Sequence, residues 1–202
     1  MRGGFVLRFG SLVFGLWLCA LGVVAFLESE LGLPPWDVLH QGLAEQSRLS
    51  FGVANLAVSF AVLGLSWALG ARIGLGTVMN AAVIGSAVIL LTHIPWVNGL
   101  SSSPVAVRFG LMLLALALFG AGSAFYIGAA MGAGPRDSLM LVVSHRLRTR
   151  IGVARTIVEA SALVVGFALG GTVGIGTLLF AFGIGPAVEA SFFLMSRTPL
   201  AK

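Results

Sequence analysis

Five stretches of this chain, residues 9–27, 49–71, 73–92, 109–134 and 160–188, contain no Asp, Glu, Lys or Arg and run for 19 to 29 residues each. A helix of about 20 apolar residues crosses the ~30 Å hydrocarbon layer of a bilayer. In lipid a backbone must satisfy its own polar groups, and an isolated stretch does so only as a helix. The expectation is therefore an all-α polytopic membrane protein, the last stretch being long enough for more than one helix. Composition agrees: 9% of the 202 residues are charged and 58% hydrophobic, too little charge to coat a water-soluble globule.

The formal net charge of +5 would suggest nucleic acid in a soluble domain. Here the arginines punctuate apolar runs instead of forming a basic face, so they read as topology signals and no nucleic-acid partner is expected. Cys19 is the only cysteine, which excludes an intramolecular disulfide and a thiolate metal site. Arg2 and Arg8 before the first run resemble a signal peptide, but that run exceeds the usual core of ~7–15 residues and a copy of it begins internally at Arg108. A retained first span is expected. Trp17 and Leu18 before Cys19 are not the small residues of a lipoprotein cleavage site.

Sliding the sequence by 100 positions aligns residues 8–88 with 108–188 without a gap, and 27 of the 81 pairs are identical. Leu, Ala and Gly matches carry little weight in so biased a composition. Arg8/Arg108, Pro35/Pro135, Asp37/Asp137, Arg48/Arg148 and Thr77/Thr177 carry more. The chain thus reads as a single transmembrane domain, residues 1–202, with one internal repeat over 8–92, a linker at 93–107 and a second repeat over 108–196. Each repeat divides into four segments, near 8–29, 35–47, 51–69 and 76–92 in the first copy. Six clear transmembrane helices and two short polar ones result. Ser50 is placed to cap the third segment, Gly70 and Gly74 to end it and free the following turn, and Thr77 to cap the fourth. The second segment rises only ~20 Å and carries Asp37, His40, Gln41, Glu45 and Gln46, so it does not face lipid.

If the second segment only dips into the bilayer, each copy crosses three times and the copies are inverted. If it spans, each crosses four times and the copies are parallel. Ten of the twelve basic residues can face the cytoplasm either way, leaving Arg48 and Arg108 outside in the first case and Arg72 and Arg136 in the second. Charge retained at Arg8/Arg108 and Arg48/Arg148 favours equivalent ends on the same side, hence parallel copies. Both termini are expected in the cytoplasm.

Asp37 and Asp137 follow proline at matching helix starts. As caps they would be stabilised by free N–H groups and the helix dipole. Alternatively, both carboxylates lie near a pseudo-twofold axis and hold a cation or proton, since ionisable groups at membrane depth are costly. His40 and Gln41 are replaced by Met140 and Leu141 in the second copy, a lopsided lining that suits an asymmetric solute; a His40 merely reaching the interface is the plainer alternative. Arg155 and Glu159, spaced i, i+4, pair on one helix face, either to fix packing or to hold a substrate anion, with Glu189 ranked lower. With Trp36, these are the candidate substrate-binding residues. No metal or cofactor site is expected, because no second His stands at ligand spacing. His145, Arg146, Arg148 and Arg150 read as an anchor for anionic headgroups. The Gly-x-Gly-Thr phrases at Gly74 and Gly174 lack the Lys or third Gly of a phosphate loop. Gly166 and Gly170 have the spacing of a close helix contact. An aspartyl dyad or a nucleophilic Ser138 would make an enzyme, but the proline-rich context and the lack of a partnering His argue against both.

Taken together, the phrases from Gly32 to His40, from Leu49 to Gly52, from Gly74 to Thr77 and from Gly132 to Asp137 resemble the YczE/YyaS/YitT group of bacterial membrane proteins, its YczE branch in particular. The likeness covers nearly the whole chain, with Pro35-Trp36-Asp37 its most specific element, and implies a location in the bacterial cytoplasmic membrane. The resemblance implies Gly, in many relatives, at the position that is Pro34 here, a departure that bears only on the shape of that loop. The expected function is a small permease or secondary transporter with its solute path between the copies. The alternative is a non-transporting subunit or accessory factor that binds a partner protein.

Overall fold

The computed structural model describes residues 4–149 and 151–197; Arg2 and Arg150 lie outside them. Among the described residues all regular structure is helical: α1 (Phe5–Ser29), α2 (Pro35–Ser47), α3 (Phe51–Ala68), α4 (Leu75–Thr92), α5 (Pro95–Asn98), α6 (Val105–Gly128), α7 (Pro135–Leu147), α8 (Ile151–Ala168) and α9 (Ile175–Ser196). A 3-10 turn, Gly99–Ser102, follows α5, so the expected linker is partly folded. Five helices, α1, α3, α4, α6 and α9, have the length and apolar composition to cross a membrane. Their outward faces present side chains such as Val6 and Phe182, and the exposed Trp67 and Trp96 stand near opposite ends of the bundle, where an aromatic ring sits at the headgroup level.

The helix boundaries follow from local chemistry. Pro35 and Pro135 stand in the first turns of α2 and α7, where the missing N–H costs nothing. Ser50 caps α3 by accepting from Val53 N at 3.3 Å. Gly70 and Gly170 end α3 and α8 with φ of +97° and +98°, values that a Cβ would strain. Thr77 serves α4 from inside its first turn, accepting from Gly74 N at 3.1 Å, and Thr177 does the same for Gly174 at 3.2 Å. These two threonines are therefore third-position partners of glycine N-caps and not the caps themselves.

The centre of the bundle is the α1–α6 seam. Gly15 and Gly122 let the two backbones approach so closely that a Cβ on Gly15 would lie 2.7 Å from Gly122 O, and a Cβ on Gly122 2.7 Å from Gly15 O. At one end Arg8 donates to Ala129 O (2.7 Å) and Ala130 O (2.6 Å); at the other, Arg108 donates to Ser29 O (2.8 Å) and pairs with Glu30 (3.1 Å). The start of each helix thus meets the finish of the other. α1 and α6 are antiparallel, and the halves offset by 100 residues are inverted, which corrects the expectation of parallel copies. The two arginines sit at matching positions because each satisfies the orphan carbonyls at the negative end of the opposing helix. They do not mark a shared side.

The remaining contacts obey the same inversion. Gly76 N donates to Met131 O and Gly176 N to Leu31 O, both at 2.8 Å. With the start of α1 called the near end, Met79 and Val83 of α4 pack against Leu12 and Leu16, while Ala87 and Val88 pack against Ala20, Val23 and Val24, so α4 runs alongside α1. α3 returns antiparallel to α4 on the side away from α1, Gly52 lying against Ile89. Because α1 finishes and α3 begins at the far end, α2 dips in and comes back. α7 does so from the near end. Each half thus lays three long helices along the bundle; α8 matches α3 in length and place but is not among the five helices apolar enough to cross a membrane.

Candidate functional site

The tips of α2 and α7, turned inward from opposite ends, meet inside the bundle. Arg136 in the first turn of α7 reaches across to α2: its Nη2 lies 3.9 Å from Asp37 Oδ1 and 3.5 Å from His40 Nε2, and its guanidinium carbon sits 5.2 Å over the Trp36 ring. A cation at a helix N-terminus opposes the dipole, so the carboxylate and the ring are what make the position tolerable.

Asp37 and His40 are completely buried. Arg136 can only donate, so at 3.5 Å it faces His40 Nε2 as a donor, while the ring's Nδ1 lies 3.0 Å from Asp37 Oδ1. Asn55 of α3, also fully buried, sets its carboxamide Nδ2 3.0 Å from the same Nδ1. Asp37 Oδ2 is left without a hydrogen-bond partner among the described residues. Asp137, at the matching position, is built differently: Tyr126 Oη of α6 donates to its Oδ2 at 2.5 Å, and the carboxylate is only half-buried.

Beside these tips lies a cavity of about 170 Å³ in the near half of the bundle. Trp36, Arg136, Asp137, Tyr126, Arg155 and Glu159 carry its polar and aromatic lining, while Phe180, Ile184 and Val188 of α9 supply an apolar wall. Arg155 and Glu159 pair at 2.9 Å, as their spacing predicts, with side chains 49% and 26% exposed. This pair faces open space and does not fix a buried helix contact.

The structure therefore brings together Trp36, Asp137, Arg155 and Glu159 around one space, with Asp37 and His40 directly behind it. Gln41 is not part of this group: its Oε1 accepts from Thr172 N at 2.7 Å and fastens α2 to the α8–α9 turn. Nor does His40 reach an interface. Glu189 is exposed on α9 and lies outside the lining. Gly166 makes a close contact, a Cβ there falling 2.6 Å from Leu39 Cα of α2, but Gly170 only ends its helix. Within the basic cluster Arg146 also donates to Leu69 O at 3.1 Å, closing the end of α3.

Arg136, Tyr126 and Asn55 escaped the sequence reading. Two of them carried a usable signal. Arg136 is a charge where the other copy has Trp36, and Tyr126 is the chain's single tyrosine, standing where the other copy has Phe26.

Three relatives resemble the chain along most of its length. An uncharacterized protein of Haemophilus influenzae is 37% identical over 190 residues, 93% of this chain and 84% of the relative. The uncharacterized membrane protein YczE of Bacillus subtilis is 29% identical over 184 residues, 90% of this chain and 83% of the relative. YyaS of the same organism is 28% identical over 170 residues, 82% of each. No solved structure matches the chain. The model of a family of unknown function, DUF6198, matches residues 6–192, and with these YczE- and YyaS-type relatives the chain belongs to that family of membrane proteins.

Proposed function

We propose that this protein is a small permease or secondary transporter of the bacterial cytoplasmic membrane that moves a solute, chemically unchanged, through the cavity between its two halves. The observation that carries this reading is the meeting of two inward-turned helix tips at Trp36, Asp37, Arg136 and Asp137 beside that cavity. Interrupted helices at the boundary of oppositely directed halves are a common solution for transporter binding sites. Charges at such depth are costly unless used.

Arg8, Arg72, Arg146, Arg148 and Arg197 cluster at the near end, against Arg48 and Arg108 at the far end. By the positive-inside rule this distribution supports a near end, with both termini, in the cytoplasm, and a cavity on the cytoplasmic side.

Vesicles reconstituted with this chain alone and offered a mixture of labelled small metabolites test the reading. At least one solute is expected to accumulate beyond empty vesicles, and Asp137→Asn is expected to abolish that accumulation while folded protein stays in the membrane. Absence of any flux, together with a second membrane protein that co-purifies, would establish a partner-binding subunit instead.

A further inference from the structure

Arg136 and Asp137 are neighbours in sequence, yet no ion pair joins them; each charge is held by other groups. Arg136 turns toward α2 and rests on Trp36, while Asp137 turns toward α6 and accepts from Tyr126. Two opposite charges are thus held apart on the wall of one cavity. Of the five guanidinium donors of Arg136, only Nη2 has a described polar contact, at 3.5 Å to His40 and 3.9 Å to Asp37, and the side chain is 32% exposed. The remaining donors have no described protein acceptor. A guanidinium in this position calls for an oxyanion, which it can engage through two parallel hydrogen bonds.

The opposite side of the wall is anionic. Asp137 spends Oδ2 on Tyr126, and its other oxygen is not among the buried atoms that lack a partner. Glu159 extends this side, with Arg155 engaging its Oε1. A simple anion would leave the carboxylates opposed to it, and a simple cation would meet Arg136. A solute carrying both charges, a few ångströms apart, satisfies both.

Resting on the reading of this cavity as a solute site, we infer that it takes a small zwitterion, with the carboxylate on Arg136, the ammonium toward Asp137 and Glu159, and any apolar substituent against Phe180, Ile184 and Val188. Size narrows the class. A void of about 150 Å³ accommodates benzene, so about 170 Å³ suits solutes of roughly six to ten non-hydrogen atoms, the range of small amino acids and betaines.

The test is the thermal stability of the detergent-purified full chain with single probes: L-alanine, L-serine, L-proline and glycine betaine as zwitterions, acetate and lactate as anions, ethanolamine and choline as cations. At about a hundred times its dissociation constant, a ligand raises the apparent Tm of a chain this size by roughly 5–10 °C. At least one zwitterion should do so, and the anions and cations should not. Arg136→Gln should remove the shift, and Arg136→Lys, which keeps the charge but loses the fork, should weaken binding by about tenfold or more. If Arg136→Gln does not fold, Glu159→Gln offers the second test and should weaken the zwitterion alone.

Equal stabilisation by acetate, a shift that survives in both Arg136→Gln and Glu159→Gln, or no shift with any zwitterion would overturn the inference. Uptake of the stabilising zwitterion into vesicles separates the two readings: binding without uptake leaves the ligand class standing and removes transport, whereas uptake of an unrelated solute does the reverse.

Discussion

Where α3 lies flat against α4, the corresponding α8 stands away from α9. In the first half Leu56 fills the notch at Gly85, whose Cβ would fall 2.7 Å from Leu56 Cδ1, and Ile89 covers Gly52. In the second half a Cβ on Gly185 would meet nothing within 4 Å, and among the described residues α8 and α9 barely touch. A third of the apolar window of α4 is buried, against 11% of that of α9. The cause is visible in four residues. Asn55 and Ser59 of α3 are buried, and Asn55 is tied into the Asp37–His40 network; Arg155 and Glu159 of α8 are long, charged and need room. Helices of matching length and place thus make a closed seam in one half and a lined cavity in the other.

The sharpest way to break that comparison is cross-linking in a Cys19→Ala background. A disulfide needs Cβ atoms about 4 Å apart; a Cβ at position 85 would stand 2.8 Å from that of residue 56, so cysteines at 56 and 85 should join under mild oxidation after a slight parting of the helices, whereas cysteines at 156 and 185 should stay near background. Formation of the second link during solute movement, with loss of the first, would sharpen it; equal links at rest would end it.

Next in size are the carboxylates. Asp37→Ala leaves Arg136 and His40 facing a buried void and should cost about 3 kcal/mol, a fall in Tm of roughly 6–12 °C for a chain of this length. Asp137→Ala frees Tyr126 beside a cavity that water can enter, and about 1 kcal/mol is expected. Thermal melts of the two variants should therefore differ clearly. Gly85→Leu, forced against Leu56, should cost about 2 kcal/mol by overpacking, while Gly185→Leu should stay within about 0.5 kcal/mol; similar losses would mean that the second seam also closes at rest. The smallest effects belong to Arg8→Ala and Arg108→Ala. Each leaves helix-end carbonyls without a donor and should cost about 1 kcal/mol, and the near equality of the two is itself the check.

Much of the fold was legible in the sequence because its causes are local. Uninterrupted apolar runs, Pro35 and Pro135, Ser50, Gly70 and Gly170 each act within a turn of their own position, and Arg155 and Glu159 needed only a one-turn spacing. Direction was not legible. Exchanging Arg48 and Arg108 for Arg72 and Arg136 on the outer side leaves the charge balance unchanged, and the matching Arg8 and Arg108 close opposing helix ends, a contact 121 residues away in the case of Arg8 Nε. The site was half legible. Asp137, Trp36, Arg155 and Glu159 announced themselves as polar or aromatic residues in awkward places, whereas Gln41 shared that appearance and serves a turn. Arg136 gives no local signal because its reach to Asp37 and His40 spans the two halves, and the burial of His40 depends on Asn55, an ordinary polar residue in an apolar helix when read alone.

The odd number of long helices in each half also decides how the halves can be joined. Because α4 finishes on the same side that α6 begins, the connection through α5 and the 3-10 turn only has to make a short surface bend, anchored where Ser101 N donates to Glu28 at 3.3 Å. Parity does the rest: any three-crossing unit followed directly by its like is delivered upside down, with no additional helix to turn it over. Adding or deleting one crossing anywhere in this chain would reverse every helix after it, so the architecture tolerates changes of residue far more readily than changes of count.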